Sequence, residues 1–195
     1  MLAAVILSGG ASSRMGSPKA LLAYQGRPFL EHLLEVTVHP QIGARRVVLG
    51  ADAEPIAKAI HLQSDEIVIN ADWEKGQLTS IQAALRSLPP GTEGILLCLI
   101  DHPLISASLI QELVERFYKS GKPIALPVYE GRRGHPLIFA ASLYDELLRA
   151  PLETGARAVV WAHSREVEEI RTNEEGCVLN LNDPDTMNKA FGEAD

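Results

Sequence analysis

The chain has 195 residues, 46% of them apolar, and a formal net charge of −7 at pH 7. That length and apolar content suit one packed domain and exclude global disorder, while the acidic balance argues against a duplex nucleic-acid binder, which carries a basic face. The two cysteines, Cys98 and Cys177, lie too far apart for a zinc site or a disulfide framework and fit a reducing cytoplasm.

The opening MLAAVILSGG has no basic n-region, and glycines follow its short apolar run instead of a cleavage site. Residues 2–7 therefore predict a first strand covered on both faces, not a signal peptide. No stretch approaches the roughly 20 apolar residues of a membrane span, so no membrane partner is expected. Residues 28–38 predict a helix with Phe29, Leu30, Leu33, Leu34 and Thr37 on one face. A strand at 46–49 ends at Gly50, a helix follows at 54–62, and a third strand at 66–69. Residues 76–88 predict a helix with an apolar stripe of Leu78, Ile81, Ala84, Leu85 and Leu88, stopped by Pro89, Pro90 and Gly91.

The most apolar run, 94–100, predicts a central strand. A helix over 106–118 starts from Ser106 as N-cap. Strands at 124–128 and 136–139, helices at 143–149 and 154–162, strands at 167–170 and 177–181, and a final helix at 185–191 complete the chain. The alternation predicts right-handed crossovers and a mostly parallel sheet with helices on both faces. In such sheets ligands sit beyond the carboxyl ends of the strands, which directs attention to three segments.

The first is the loop LSGGASSRMGSPK over 7–19. Glycines let the backbone approach a ligand, successive amides form an anion nest, and Arg14 and Lys19 add two cations, a combination suited to a triphosphate. Neither a Walker A loop nor a G-x-G-x-x-G fingerprint is present; the plainer alternative is a glycine-rich surface turn. The second segment is LLCLIDHP, where Asp101 directly follows the central strand and is placed to hold a hard cation, or simply to form a turn before Pro103. The third is NLNDPDT, where Asp183 followed by Pro184 makes a sound helix start.

The pattern GG-x-x-x-R-M-G-x-x-K resembles the signature of nucleotidyltransferases related to molybdenum cofactor cytidylyl- and guanylyltransferases. The resemblance extends over nearly the whole chain, from Ala4 to about Ala190. It implies a Rossmann-like three-layer α/β/α fold of the nucleotide-diphospho-sugar-transferase type, formed by residues 1–195 as one nucleotidyltransferase domain. It implies an enzyme that uses a nucleoside triphosphate and Mg²⁺ and releases pyrophosphate. Nucleotide-binding roles fall on Leu7, Ser8, Gly9, Gly10, Arg14, Lys19, Asn70, Gly76, Ser80 and Asp101, with Arg14, Lys19 and Asp101 catalytic. Metal ligation falls on Asp101, which matches the family's D-x-P, and on Asn182, with Asn180 and Asp183 nearby. The segment GRRGHPLIF is similar to the acceptor-lining segment of the cytidylyl branch and places Arg132, Arg133, Gly134, His135 and Pro136 at the acceptor, where two arginines can clamp a phosphate.

GHPLIF and the spacing in RMGSPK make the cytidylyl branch the nearest, with CTP as donor and molybdopterin cofactor as acceptor; the Gly9–Gly10 pair resembles the guanylyl branch. The resemblance further implies a cytoplasmic protein, with a molybdoenzyme or its chaperone as partner. Rival readings are another phosphorylated acceptor, or a non-catalytic chaperone that delivers cofactor. His102, in the variable position of D-x-P, receives no role.

Overall fold

The computed structural model describes residues 1–10 and 17–191. Strand β1 (Leu2–Ser8) is buried along its whole length. It pairs in parallel with β4 (Ile42–Leu49) on one side and β6 (Gly94–Leu99) on the other. The two-stranded hairpin β2 (Ala23–Tyr24) and β3 (Arg27–Pro28) lies between β1 and β4 in the chain, outside the main sheet. Beyond β4 the sheet ends at β5 (Ile67–Ile69). Beyond β6 come β9 (Leu137–Ala140), β7 (Ile124–Tyr129) and the edge strand β10 (Val167–Arg171), with the short β8 (Arg132–Arg133) pairing β7. Strand β9 runs antiparallel to both β6 and β7, and β10 returns parallel to β7.

Side chains alternate across each strand, and this sorts the core into two layers. On one face Leu2 and Ile6 of β1, with Leu96 and Cys98 of β6, meet three helices: α1 (Phe29–Val36), α2 (Ala53–Ile60) and α4 (Ala107–Ser120). On the other, Val5 and Leu7 with Ile95, Leu97 and Leu99 meet α3 (Gln77–Arg86), α5 (Tyr144–Arg149) and α6 (Arg157–Ala162). A last helix, α7 (Pro184–Phe191), closes the chain. The expected three-layer α/β/α architecture is observed. Among the described residues no helix is long and apolar enough to cross a membrane.

Ser106 caps α4 as expected, its Oγ accepting from the Leu109 amide at 3.1 Å. Helix α6 starts at Arg157, three residues later than the pattern suggested. The strand expected over 177–181 does not form. Glu175–Cys177 is instead a 3-10 turn, and the following segment lies as a strap across the rim of the sheet. Its backbone groups serve neighbouring loops, not a ladder: the Cys177 carbonyl accepts from His135 N at 2.7 Å, and Leu181 N donates to the Asp101 carbonyl at 2.8 Å.

At the far edge, Glu168 of β10 is nearly buried and accepts from Arg116 Nε at 3.0 Å, with Lys122 Nζ also at 3.0 Å. The Arg116 hydrogen bond, then that of Lys122, holds its carboxyl below the ordinary value of 4.5. A lowered folded-state value means that the stabilisation is complete above the unfolded value and is lost as pH falls through the folded one. Both cations are partly exposed, which limits the effect. Urea denaturation should find Glu168→Gln about 1 kcal/mol less stable at pH 7, with the gap from wild type closing as pH drops below 4.5.

Candidate nucleotide and acceptor site

At the carboxyl end of β1 the backbone of Gly9 passes against Gly50, which follows β4. A Cβ on Gly50 would stand 2.2 Å from the Gly9 carbonyl oxygen and 2.7 Å from the Trp73 ring. This approach sets one wall of a cavity of about 330 Å³ lined by Leu7, Ser8, Gly9, Gly10, Lys19, Gly76, Ser80 and Asp101. Strands β1 and β6 are adjacent, so the loop after one and the aspartate after the other open into the same space.

Lys19 begins a short 3-10 turn, Lys19–Leu21, and its Nζ donates to Asn182 Oδ1. Asn182 reaches the rim because Leu181 is bonded to the Asp101 carbonyl. The backbone therefore brings Lys19, Asp101 and Asn182 to one place. The buried His102 imidazole registers both charges. Burial holds it below its ordinary range; the Asp101 carboxylate pulls upward, and the Lys19 ammonium pulls further down.

Asn70 stands behind the cavity, not in its wall. Its Nδ2 donates to Thr79 Oγ1 and Ser80 Oγ, each at 2.9 Å, and its Oδ1 accepts from Asp72 N at 3.0 Å. It braces the start of α3, where Gly76 adopts a φ of +109° open to few other residues. Asp183 caps α7, accepting from Thr186 N at 2.8 Å, and Asn180 Oδ1 is buried without a hydrogen-bond partner among the described residues. Arg14 and Gly16 fall outside the described residues. Asp52, Ile56, Trp73 and Glu74 also line the cavity and were not among the named candidates, although Trp73 and Glu74 lie between the candidates Asn70 and Gly76. They follow β4 and β5, and the rule that ligands gather after strands could have found them.

A second cavity of about 470 Å³ adjoins the first, with Gln77 lining both. Arg133, Gly134 and His135, three of the residues the resemblance assigned to the acceptor, border it. The two arginines do not converge, however. They are successive residues of β8, so their side chains leave on opposite sides; Arg133 reaches the cavity and pairs with Glu169 at 2.7 Å, whereas Arg132 does not line it. Pro136 likewise lies outside the lining. Gly134 must be glycine here, since a Cβ would stand 2.4 Å from the Cys177 carbonyl oxygen. The His135 ring lies 5.2 Å from that of His102, joining the Gly134–His135 loop to the Asp101 loop. Burial, with the neighbouring His102 as a lesser cause, pushes His135 down to about 3, so it stands neutral at physiological pH.

The sequence profile of the MobA-like NTP transferase domain matches residues 4–167. The chain belongs to this family. A molybdenum cofactor guanylyltransferase of Rhizobium meliloti (strain 1021) is 35% identical over 171 residues, covering 86% of this chain and 72% of that protein. A nicotine blue oxidoreductase of Paenarthrobacter nicotinovorans is 32% identical over 147 residues, covering 71% of each. The crystal structure of Rv0371c from Mycobacterium tuberculosis H37Rv superposes with a TM-score of 0.82 at 27% identity, covering 97% of this chain and 96% of that one. A structure of Rv0371c in complex with manganese gives a TM-score of 0.78 at 23% identity, covering 99% of both. This member of the MobA-like family is thus a nucleotidyltransferase of Rossmann-like fold.

The crossing of Gly9 and Gly50 is tight enough to test directly. Gly50→Ala should destabilise the fold by about 1–3 kcal/mol through overpacking and weaken nucleoside triphosphate binding. Thermal denaturation and a calorimetric nucleotide titration measure the two effects.

Proposed function

We propose that residues 1–195 act as one domain that transfers a nucleoside monophosphate from a nucleoside triphosphate to the terminal phosphate of a molybdopterin-type cofactor. The observation that supports this reading is the opening of Lys19 and Asp101 into one cavity, with Asn182 bonded to Lys19 behind it and a second cavity alongside. The name of the Rhizobium relative supports the acceptor.

The residues fit Mg²⁺. Asp101 offers a carboxylate and Asn182 a carboxamide oxygen, both hard donors; the Asn182 oxygen here accepts from Lys19 Nζ, and would exchange that bond for the ion when Lys19 turns to the phosphates. Among the described residues no group of three or more His, Cys, Asp or Glu could hold a metal, which suits an ion that completes its shell with phosphate oxygens and water. When bound, Mg²⁺ supplies charge neutralisation on the phosphates. The glycine-lined turn lets the triphosphate approach the backbone, and Lys19 places a cation beside it. Arg14 belongs to the same loop and adds a second cation in this reading. Arg133, Gly134 and His135 hold the acceptor. An oxygen of the acceptor phosphate forms the new bond to the α-phosphorus, the bond to the β-phosphate bridging oxygen breaks, and pyrophosphate leaves. The attacking phosphate is already ionised near pH 7, so positioning and charge suffice without a strong general base.

For the base, GTP is favoured over the CTP suggested by GHPLIF. Asp52 and Glu74 line the nucleotide cavity, and carboxylates only accept hydrogen bonds. The guanine edge presents adjacent N–H donors at N1 and the 2-amino group, whereas the cytosine edge presents one donor beside two acceptors. The protein acts in the cytoplasm in this reading, and its product passes to a molybdoenzyme or to a chaperone for one.

Incubation with each triphosphate, Mg²⁺ and molybdopterin cofactor, read by pyrophosphate release and mass analysis, tests the proposal. GTP should be consumed fastest, and Asp101→Ala and Lys19→Ala should each lower turnover by about 100-fold or more while the protein stays folded. Consumption of no triphosphate would sink the assignment.

A further inference from the structure

The two cavities differ in what lines them. The smaller is ringed by glycines, Lys19 and Asp101. The larger is backed by Leu97, Leu126, Leu137 and Phe139, buried side chains of the sheet, and its rim carries Trp161 of α6. Trp161 is 60% exposed, the most exposed aromatic residue among the large apolar side chains at the surface. A tryptophan left in water beside an apolar concavity is a surface that a ligand would cover. Its ring is held: the Arg157 guanidinium, one turn earlier on α6, lies 5.8 Å from the ring centroid and favours one placement through cation–π attraction. Arg157 and Arg133 both line this cavity, so a flat apolar surface and cations are offered together.

We propose that Trp161, backed by Arg157, is the stacking platform for a flat heteroaromatic ring of the acceptor, and so determines which phosphorylated acceptors are used. Arg133 in the same cavity faces the anionic end of that molecule. This rests on the reading of the larger cavity as the acceptor side. The nucleotide base is not the ring concerned, because the nucleotide cavity has its own tryptophan, Trp73, and the two tryptophans are the chain's full complement. The cavity volume of about 470 Å³ is that of a small-molecule site, not of a peptide groove. Trp161 is a specificity residue in this inference; it moves no proton and makes no bond.

The test uses the full chain and a pterin monophosphate as probe, with GTP as the control ligand. Calorimetric titration should show the probe bound by wild type, held within about threefold by Trp161→Phe, and weakened about tenfold or more by Trp161→Leu, the size expected for loss of one stacked ring. GTP affinity should stay unchanged in both variants, which also reports that they fold. The inference is overturned if wild type does not bind the probe, if Trp161→Leu binds it as well as wild type does, or if that variant loses both ligands alike. In the transfer assay, Trp161→Leu should raise KM for the acceptor and leave kcat and the KM for triphosphate in place. Absence of transfer by wild type would count against the enzymatic reading while probe binding still decides the role of Trp161; transfer with an unchanged acceptor KM would reject the platform and keep the enzyme.

Discussion

The site depends on the parallel pairing of β1 with its two neighbours. Leu2 to Leu7 is paired with β4 and with β6 at once, with one irregularity against β4 between Leu2 and Ala3, and from Ala3 onward burial on both faces holds the register, since a slip of one residue would exchange the two core layers. The pairing fixes where the strands end. Ser8 lies opposite Leu49, and Leu7 opposite Leu99, so the glycine turn, Gly50 and Asp101 emerge at the same height on one rim. The rim residues are thereby positioned by the apolar packing of the strands beneath them.

A second constraint operates on top of the first. The strap after the 3-10 turn Glu175–Cys177 is pinned at close contacts with other loops. A Cβ on Gly176 would lie 1.8 Å from the Leu104 carbonyl oxygen, the Cys177 carbonyl takes the His135 amide, and the Leu181 amide reaches the Asp101 carbonyl. One segment thus ties the Gly134–His135 loop, the aspartate loop and Lys19 into a single rim, the first two through backbone groups and the third through the Asn182 side chain.

Much of this was legible in the chain. The long apolar strands and amphipathic helices declare themselves by period, and the rule that ligands gather at carboxyl ends picks out Gly9, Lys19 and Asp101. Other features were hidden for physical reasons. Residues 177–181 have the composition of a strand, but composition does not say whether a neighbour with a free edge is available. The β2–β3 and β7–β8 hairpins turn through Gln25–Gly26 and Glu130–Gly131, all at positive φ; Gln and Glu are uncommon there, so the usual Asn-Gly signal for a tight hairpin is absent. Asn70 reads as a ligand-facing amide, yet Thr79 and Ser80 lie within its reach and consume it. Arg132 and Arg133 read as a pair until the strand separates them. His102 looked incidental, and only the fold shows it packed against His135.

The reversed direction of β9 has a consequence for how such a protein diversifies. Strands β1, β4 and β6 deliver to the rim the residues that follow them, but β9 runs the opposite way and delivers the residues that precede it. The Arg133–His135 border of the larger cavity is therefore carried by a hairpin excursion between β7 and β9, whereas the smaller cavity is bordered by residues that follow β1, β4, β5 and β6. Lengthening or rewriting that excursion reshapes one hollow without stretching a strand that borders the other. Two neighbouring hollows are in this way built on separate pieces of chain, and a lineage can recut one while leaving the other in place.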